Sequence, residues 1–299
     1  MKVIENRKIF FGISLAIIIL GIIMTGVNGL QKGIDFEGGT LIQINIGKQI
    51  SVDEVREITD EFDKEAHIIH SGKDNNEIII KSKMDLSNEE RNNIFEQFKE
   101  KYDLKDEDLV QSQKFGPSIG KEIRKKSLLS AGIAVVAMLI YITWRFEFKF
   151  ALSAIIALIH DVLITLSVYA IFKIPINSSF IAAILTILGY SINDTIVIFD
   201  RIRENNKSSR KATHDEAYYI NLIDGSIRQS ITRTINTSLT TLVTIVLLYV
   251  LGVEDIRVLA FPLIVGVITG TYSSMFIASP IWYILKRNEK NPNYKPKRV

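Results

Sequence analysis

Six apolar stretches, near residues 9–29, 128–144, 150–172, 178–199, 235–252 and 258–285, constrain this chain more than anything else in it. A bilayer needs about 20 apolar residues, or somewhat fewer where basic side chains snorkel from the ends. In hydrocarbon every backbone N–H and C=O needs an internal partner, so stretches of this length cross as helices. The 299 residues nevertheless include 36 Lys and Arg and 33 Asp and Glu, so the charges must be segregated from these stretches. They gather in residues 48–126, in the segment 200–233 and at the two ends.

The short connections set an orientation. Lys2, Arg7 and Lys8 precede the first stretch, and Arg145 and Lys149 follow the second. Arg201, Arg203, Lys207, Arg210 and Lys211 follow the fourth, and Lys286, Arg287, Lys295, Lys297 and Arg298 close the chain. All fall on one side if both termini are cytoplasmic, and the opposite short connections hold little beyond Lys173 and Arg257. That is the asymmetry the positive-inside rule requires. Lys121, Arg124, Lys125 and Lys126 run against it, standing outside just before the second stretch, but long translocated segments cross largely regardless of charge. The first stretch starts like a signal peptide. Its apolar run is long, however, and no small-x-small site follows cleanly in Thr25-Gly26-Val27-Asn28-Gly29, so an uncleaved anchor is expected.

Roughly 95 residues separate the first and second stretches, enough for a small domain. Thr40–Ile46 alternates as a strand does, and Val52, Val55, Ile58 and Phe62 recur at helical spacing after Ser51, an N-cap residue. Residues 66–70 and 77–81 read as short strands around a turn, Leu86, Ile94, Phe98 and Tyr102 as a second helix, and 108–115 as a last strand. The order βαββαβ predicts a ferredoxin-like α+β module. The expected organisation is an anchor span in 1–30, an extracytoplasmic α+β domain in 31–126, a five-span membrane domain in 127–287 and a cytoplasmic tail in 288–299.

Several chemistries lack their residues. Without cysteine there are no disulfides, thiolate metal sites or Cys nucleophiles. His67 and His70 lack a convincing third metal ligand. Gly116-Pro117-Ser118-Ile119-Gly120-Lys121 has three residues rather than four between its glycines, and Glu122 where a phosphate loop needs Ser or Thr. No Ser-His-Asp or paired-carboxylate hydrolase pattern is visible, so no enzyme activity and no cofactor are expected. A net charge of only +3 gives no reason to expect nucleic-acid binding.

Asp194 lies inside the apolar run Tyr190–Phe199. A carboxylate at the bilayer centre costs roughly 2.5 to 3.5 kcal/mol on insertion scales, so it is kept for a functional role or for a hydrogen bond to a neighbouring Ser or Thr. Asn193 beside it is placed to orient it. Asp161 sits near the middle of the third stretch, where a relay and a hydrogen bond to a neighbouring span are both open. His160 alone reads as a packing or interfacial residue, and Asp200 with Arg201 as a solvated cluster at a span end. Gly266 and Gly270, spaced i and i+4, predict close helix packing in the sixth stretch, with Pro262 and Pro280 as sites of kinking. Gly38 and Gly39 predict a tight bend on leaving the membrane.

The run from Ser191 to Asn205, Ser-Ile-Asn-Asp-Thr-Ile-Val-Ile-Phe-Asp-Arg-Ile-Arg-Glu-Asn, resembles the fourth-span signature of the SecF family of translocase accessory subunits, within the RND superfamily. Gly33-Ile34-Asp35-Phe36-Glu37-Gly38-Gly39 and Phe115-Gly116-Pro117-Ser118-Ile119-Gly120 resemble two further landmarks of that family, in the expected order. Gly33, Asp35, Phe36, Gly38, Gly39, Gly116, Pro117 and Gly120 are thereby marked as motif residues. Phe115 departs from the family, which more often has Val there. The resemblance covers residues 7–287 and implies a polytopic helical protein of the bacterial cytoplasmic membrane, one six-span half of an RND-type unit. A SecD-like six-span subunit is its implied partner. Also implied are assistance to export of unfolded polypeptides through the SecYEG channel and coupling to the proton motive force, with Na⁺ as an alternative ion. Family members carry an arginine at the start of the fifth span that acts with the fourth-span aspartate. Arg233 matches that place, with Arg228 as competitor, so the implied proton-relay residues are Asp194, Arg233 and Asp161. A proton-driven small-molecule or lipid exporter half is the alternative, although its external domains would be much larger.

Overall fold

Ser51 and Ser87 stand where extended backbone turns into helix, each followed three residues on by a glutamate. Both form reciprocal capping boxes: Ser Oγ accepts the glutamate N–H at 3.2 Å, and the glutamate carboxylate accepts the serine N–H. They start α3 (Val52–Thr59) and α4 (Asn88–Tyr102). The strands β1 (Gly39–Asn45), β2 (His67–Ser71), β3 (Glu77–Ser82) and β4 (Leu109–Phe115) form one antiparallel sheet in the order β2-β3-β1-β4. The chain order βαββαβ is the expected one. Because side chains alternate along a strand, Ile42 and Ile44 of β1 and Ile78 and Ile80 of β3 share a face, closed by Val55 and Ile58 of α3 and by Ile94, Phe95 and Phe98 of α4. A short helical turn, α2 (Ile34–Glu37), precedes the sheet and was not foreseen.

The computed structural model describes residues 2–72, 74–208 and 216–290. Within these, the long helices are α1 (Arg7–Asn28), α5 (Pro117–Arg145), α6 (Phe148–Phe172), α7 (Ser178–Ser208) and α8 (Glu216–Leu251). The last crossing joins α9 (Glu254–Ser273), a π turn (Ser274–Ala278) and α10 (Ser279–Lys290). Six of these segments are long and apolar enough to span a membrane. The π turn ends two residues before Pro280, which lacks an N–H for the helical ladder. Pro262 lies inside α9.

Two crossings begin earlier than the apolar stretches suggest. α5 starts at Pro117 and runs unbroken past residue 127, and α8 starts at Glu216, so much of the segment 200–233 is helix rather than connection. At about 1.5 Å per residue α8 is about 54 Å long, far more than the hydrocarbon thickness. Its first half is held by burial of Tyr219, Leu222, Ile223 and Ile227 on one face. At that end Asp224 Oδ1 accepts the N–H groups of Val3 and Ile4 (3.1 and 3.2 Å), and Lys286 pairs with Glu147 at 3.0 Å. Arg203 pairs with Asp200 at 2.5 Å and donates to the Arg145 carbonyl. Basic residues of several connections thus share one end of the bundle. Arg210, Lys211 and the predicted tail from residue 291 onward lie outside the described residues.

Candidate functional site

In α6 and α7 small and polar residues recur at helical spacing within otherwise apolar runs, so the helices turn those residues toward one another rather than toward lipid. Asp161 on α6 is fully buried. Its Oδ2 accepts hydrogen bonds from Ser191 Oγ of α7 (2.6 Å) and Ser273 Oγ of α9 (2.9 Å). Its Oδ1 lies 3.0 Å from His160 Nδ1, and His160 Nε2 lies 2.8 Å from Ser14 Oγ on α1. Asp194, one turn beyond Ser191 on the same face of α7, is 1% exposed, and its Oδ2 accepts from Ser238 Oγ of α8 at 3.2 Å. Thr271 Oγ1 of α9 donates in turn to Ser238 Oγ at 2.6 Å. Beside them Thr195 and Ser274 hydroxyls are 2.8 Å apart, next to the π turn. Two carboxylates and their hydroxyl partners thereby join five helices.

Glycine makes this approach possible. A Cβ on Gly270 would press on Ser191, and one on Gly266 would collide with Ile187. α7 and α9 pack closely where the i, i+4 glycines predict it.

Among the described residues no lysine or arginine comes within 4 Å of either carboxylate. Arg233 is exposed, five residues before Ser238 on α8, and Arg228 is exposed as well. The structure therefore sets Asp161 and Asp194 in adjoining hydroxyl networks, with Arg233 beyond ion-pair distance of Asp194 yet near enough for its charge to act on that carboxylate. Asn193 also faces away from this cluster and is exposed, as are Thr237, Thr240 and Thr244 on α8. His160 is more than a packing residue, since it bridges α1 to Asp161. Ser14, Ser191, Ser238, Thr271 and Ser273 were not foreseen. Ser191, one turn from Asp194, carries a signal that could have found it, whereas Ser14, Ser238, Thr271 and Ser273 lie far from both acids in the sequence.

The glycine motifs form a second constellation, where the sheet meets the bundle. Asp35 Oδ2 accepts the Ser178 N–H at 2.9 Å in the first turn of α7, and the Gly33 N–H donates to the Ile176 carbonyl at 2.7 Å. Phe36 is buried against Tyr169 and Phe180. Gly120 of α5 lies against the Phe36 backbone so closely that a Cβ would clash. Gly116 is the N-cap residue of α5 and Pro117 begins its first turn, with the Pro117 side chain outside the described residues. Gly38 and Gly39 have φ of +89° and +143°, a region open to glycine, and Gly39 runs against the Ser82 carbonyl. Glu37 pairs with Lys83 (3.2 Å) and Lys32 (3.4 Å). Burial pushes its carboxyl up, but the two cations outweigh that and hold it below the ordinary glutamate range. α2, α5, α6 and α7 are thus joined through one strut.

Comparison with known proteins follows the same two constellations. The family model for the protein export membrane protein SecD/SecF, C-terminal, matches residues 94–288, and that for the SecD/SecF GG motif matches 23–50, which contain Gly38 and Gly39. The chain is 35% identical over 297 residues to protein translocase subunit SecF of Sebaldella termitidis, covering 98% of this chain and 94% of that one. It is 37% identical over 290 residues to protein translocase subunit SecF of Helicobacter pylori, covering 94% and 85%. The crystal structure of SecDF from Thermus thermophilus, a translocon-associated membrane protein, superposes with a TM-score of 0.83 at 32% identity. That alignment covers 96% of this chain and 39% of the SecDF chain, so the present chain spans about two fifths of it.

Proposed function

Because this chain belongs to the SecF family of protein translocase subunits, we propose that it acts with a SecD-like six-span subunit to promote export of unfolded polypeptides through SecYEG, driven by the proton motive force. The carrying observation is the pair of buried carboxylates, Asp161 and Asp194, held by the hydroxyls of Ser191, Ser273 and Ser238 and, at Asp161, by His160 as well. A hydroxyl both donates and accepts, so such a network serves the neutral acid as well as the carboxylate. Arg233, always charged, cannot itself release a proton.

In this reading Asp194 takes up a proton from outside, loses its attraction for a cation and lets α7 move against α8. Loss of the proton inward restores a charge that draws the Arg233 guanidinium toward it, from about 7.5 Å of helix rise away along α8. One elementary charge moving through 100 mV gains about 2.3 kcal/mol, enough to bias a two-state movement. Asp161, through Ser191 and Ser273, ties α6 and α9 into the same movement. The Asp35–Ser178 bond and the Phe36–Gly120 contact carry it to the α+β module.

The exposed Asn193 and Arg233 support the partner assignment, since such groups are costly against lipid and are covered when a second six-span half packs there. The shared basic end of the bundle supports cytoplasmic termini and an extracytoplasmic module. The exporter alternative is not favoured, because the relatives are translocase subunits.

The test is Asp194→Asn, which keeps the size of the neutral acid and cannot cycle its charge. Export into vesicles preloaded with translocation intermediates is compared with and without an imposed proton gradient. The expected outcome is loss of the gradient response with the complex still assembled, and a parallel loss in Arg233→Met but not in Arg228→Met. A wild-type response in Asp194→Asn at normal complex levels returns Asp194 to a packing role.

A further inference from the structure

The basic residues at the start of α5 oppose the charge rule and have no part in the carboxylate cluster. Lys126 is held by Glu122 at 2.7 Å, whereas Lys121, Arg124 and Lys125 are exposed and, among the described residues, have no carboxylate within ion-pair distance. Below them is a cavity of about 360 Å³ between α2, α5, α6 and the start of α7. Leu128, Ala131, Val162, Leu166 and Ile184 line it, its exposed wall is wholly apolar, and Arg124 and Lys32 contribute at its edge. Lys32 shares Glu37 with Lys83, so the edge keeps a surplus of positive charge.

An apolar slot that starts beneath unpaired cations matches an amphiphile with a negative head and a hydrocarbon tail. Juxtamembrane basic residues attract anionic headgroups, and lysine and arginine stems lie along apolar surface while their charges reach the headgroup level. We propose that this crevice is a binding site for one anionic phospholipid. Its phosphate is held by Lys121, Arg124 and Lys125, and an acyl chain lies along Leu128 and Ala131. The site stands in the leaflet from which the α+β module rises. A bound chain there fills the gap between α5 and the Phe36–Phe180 contact, steadying the strut that joins module to bundle.

The full-length protein, delipidated in detergent, is offered equimolar phosphatidylglycerol and phosphatidylcholine, and bound lipid is counted by native mass spectrometry. Preferential retention of phosphatidylglycerol is expected. The combined variant Lys121→Gln, Arg124→Gln, Lys125→Gln should lower that preference by roughly fivefold per charge removed. Ala131→Trp, or the milder Ala131→Leu should the larger ring disturb folding, should abolish retention of the bound lipid by filling the slot. Equal retention of the two lipids, a preference that survives the triple substitution, or retention unaffected at residue 131 overturns the proposal. So does loss of the preference in protein extracted with a six-span partner, since a helix of that subunit then occupies the crevice.

Discussion

In the α+β module, β1 hides Ile42 and Ile44 beneath two helices, and the charges of α3 and α4 face outward. In the bundle, Asp161, Asp194 and their serines are hidden, while α1 and α5 expose Ile22, Leu128 and Ile133. The same alphabet is sorted in opposite directions because the surroundings differ. In water, removing apolar area from solvent drives association. In lipid, apolar side chains gain little by meeting one another, so close packing of small residues and hydrogen bonds between helices hold the bundle. A polar interior in the membrane is therefore the glue of the bundle and the proposed place of the proton relay. The module has a conventional apolar core and, among its described residues, no comparable cluster of buried acids.

The largest expected effect comes from importing the chemistry of the bundle into the module. Ile44→Asp places a carboxylate among Ile42, Ile80 and Phe98, where no donor awaits it, and should cost more than about 4 kcal/mol, enough to unfold the module. Protease treatment of reconstituted vesicles should then cut residues 39–115 while the spans remain protected. A protease-resistant module in that variant breaks the contrast.

The converse change puts apolar bulk into the polar interior. Gly270→Leu must displace Ser191 and so separate α7 from α9, with an expected loss of about 1 to 3 kcal/mol and disruption of the Ser191–Asp161 bond. Thermal unfolding in detergent reads the first effect, and the gradient response of export reads the second. An unchanged response would mean that the close α7–α9 approach is not needed by the carboxylate pair.

The smallest change tests whether the two regions are energetically separate. Ser87→Ala removes the cap of α4 and should cost about 1 kcal/mol, confined to the module. Hydrogen exchange should rise in residues 88–102 and stay unchanged in α6 and α7. A matching rise in the spans would show that the strut transmits local instability from the module to the bundle.

Much of this could be read locally. Ser51 and Ser87 with their glutamates, the alternation of Ile42 and Ile44, and the six apolar runs each depend on neighbours a few residues away, and each forms the element its pattern predicts. The starts of α5 and α8 lie outside the apolar runs and so were not legible in them. A helix that leaves the bilayer keeps its backbone hydrogen bonds and needs only one buried face, as Tyr219, Ile223 and Ile227 supply. The turn Ile34–Glu37 escaped notice because it is held by distant groups, Ser178 and Ile176, rather than by its own periodicity.

By itself the sequence determined that Asp161 and Asp194 lie at membrane depth, since the cost of a charge in hydrocarbon depends on the apolar run around it. It likewise determined that Gly266 and Gly270 mark a close helix contact. Only the tertiary structure decided what the acids meet. Arg233 and Ser238 are both on α8, yet the rotation of that helix turns Ser238 to Asp194 and Arg233 outward. His160 is joined to Ser14, 146 residues away, for the same reason. Hydrogen bonds between helices require matching rotation and depth to within an ångström, and packing across the whole bundle sets both.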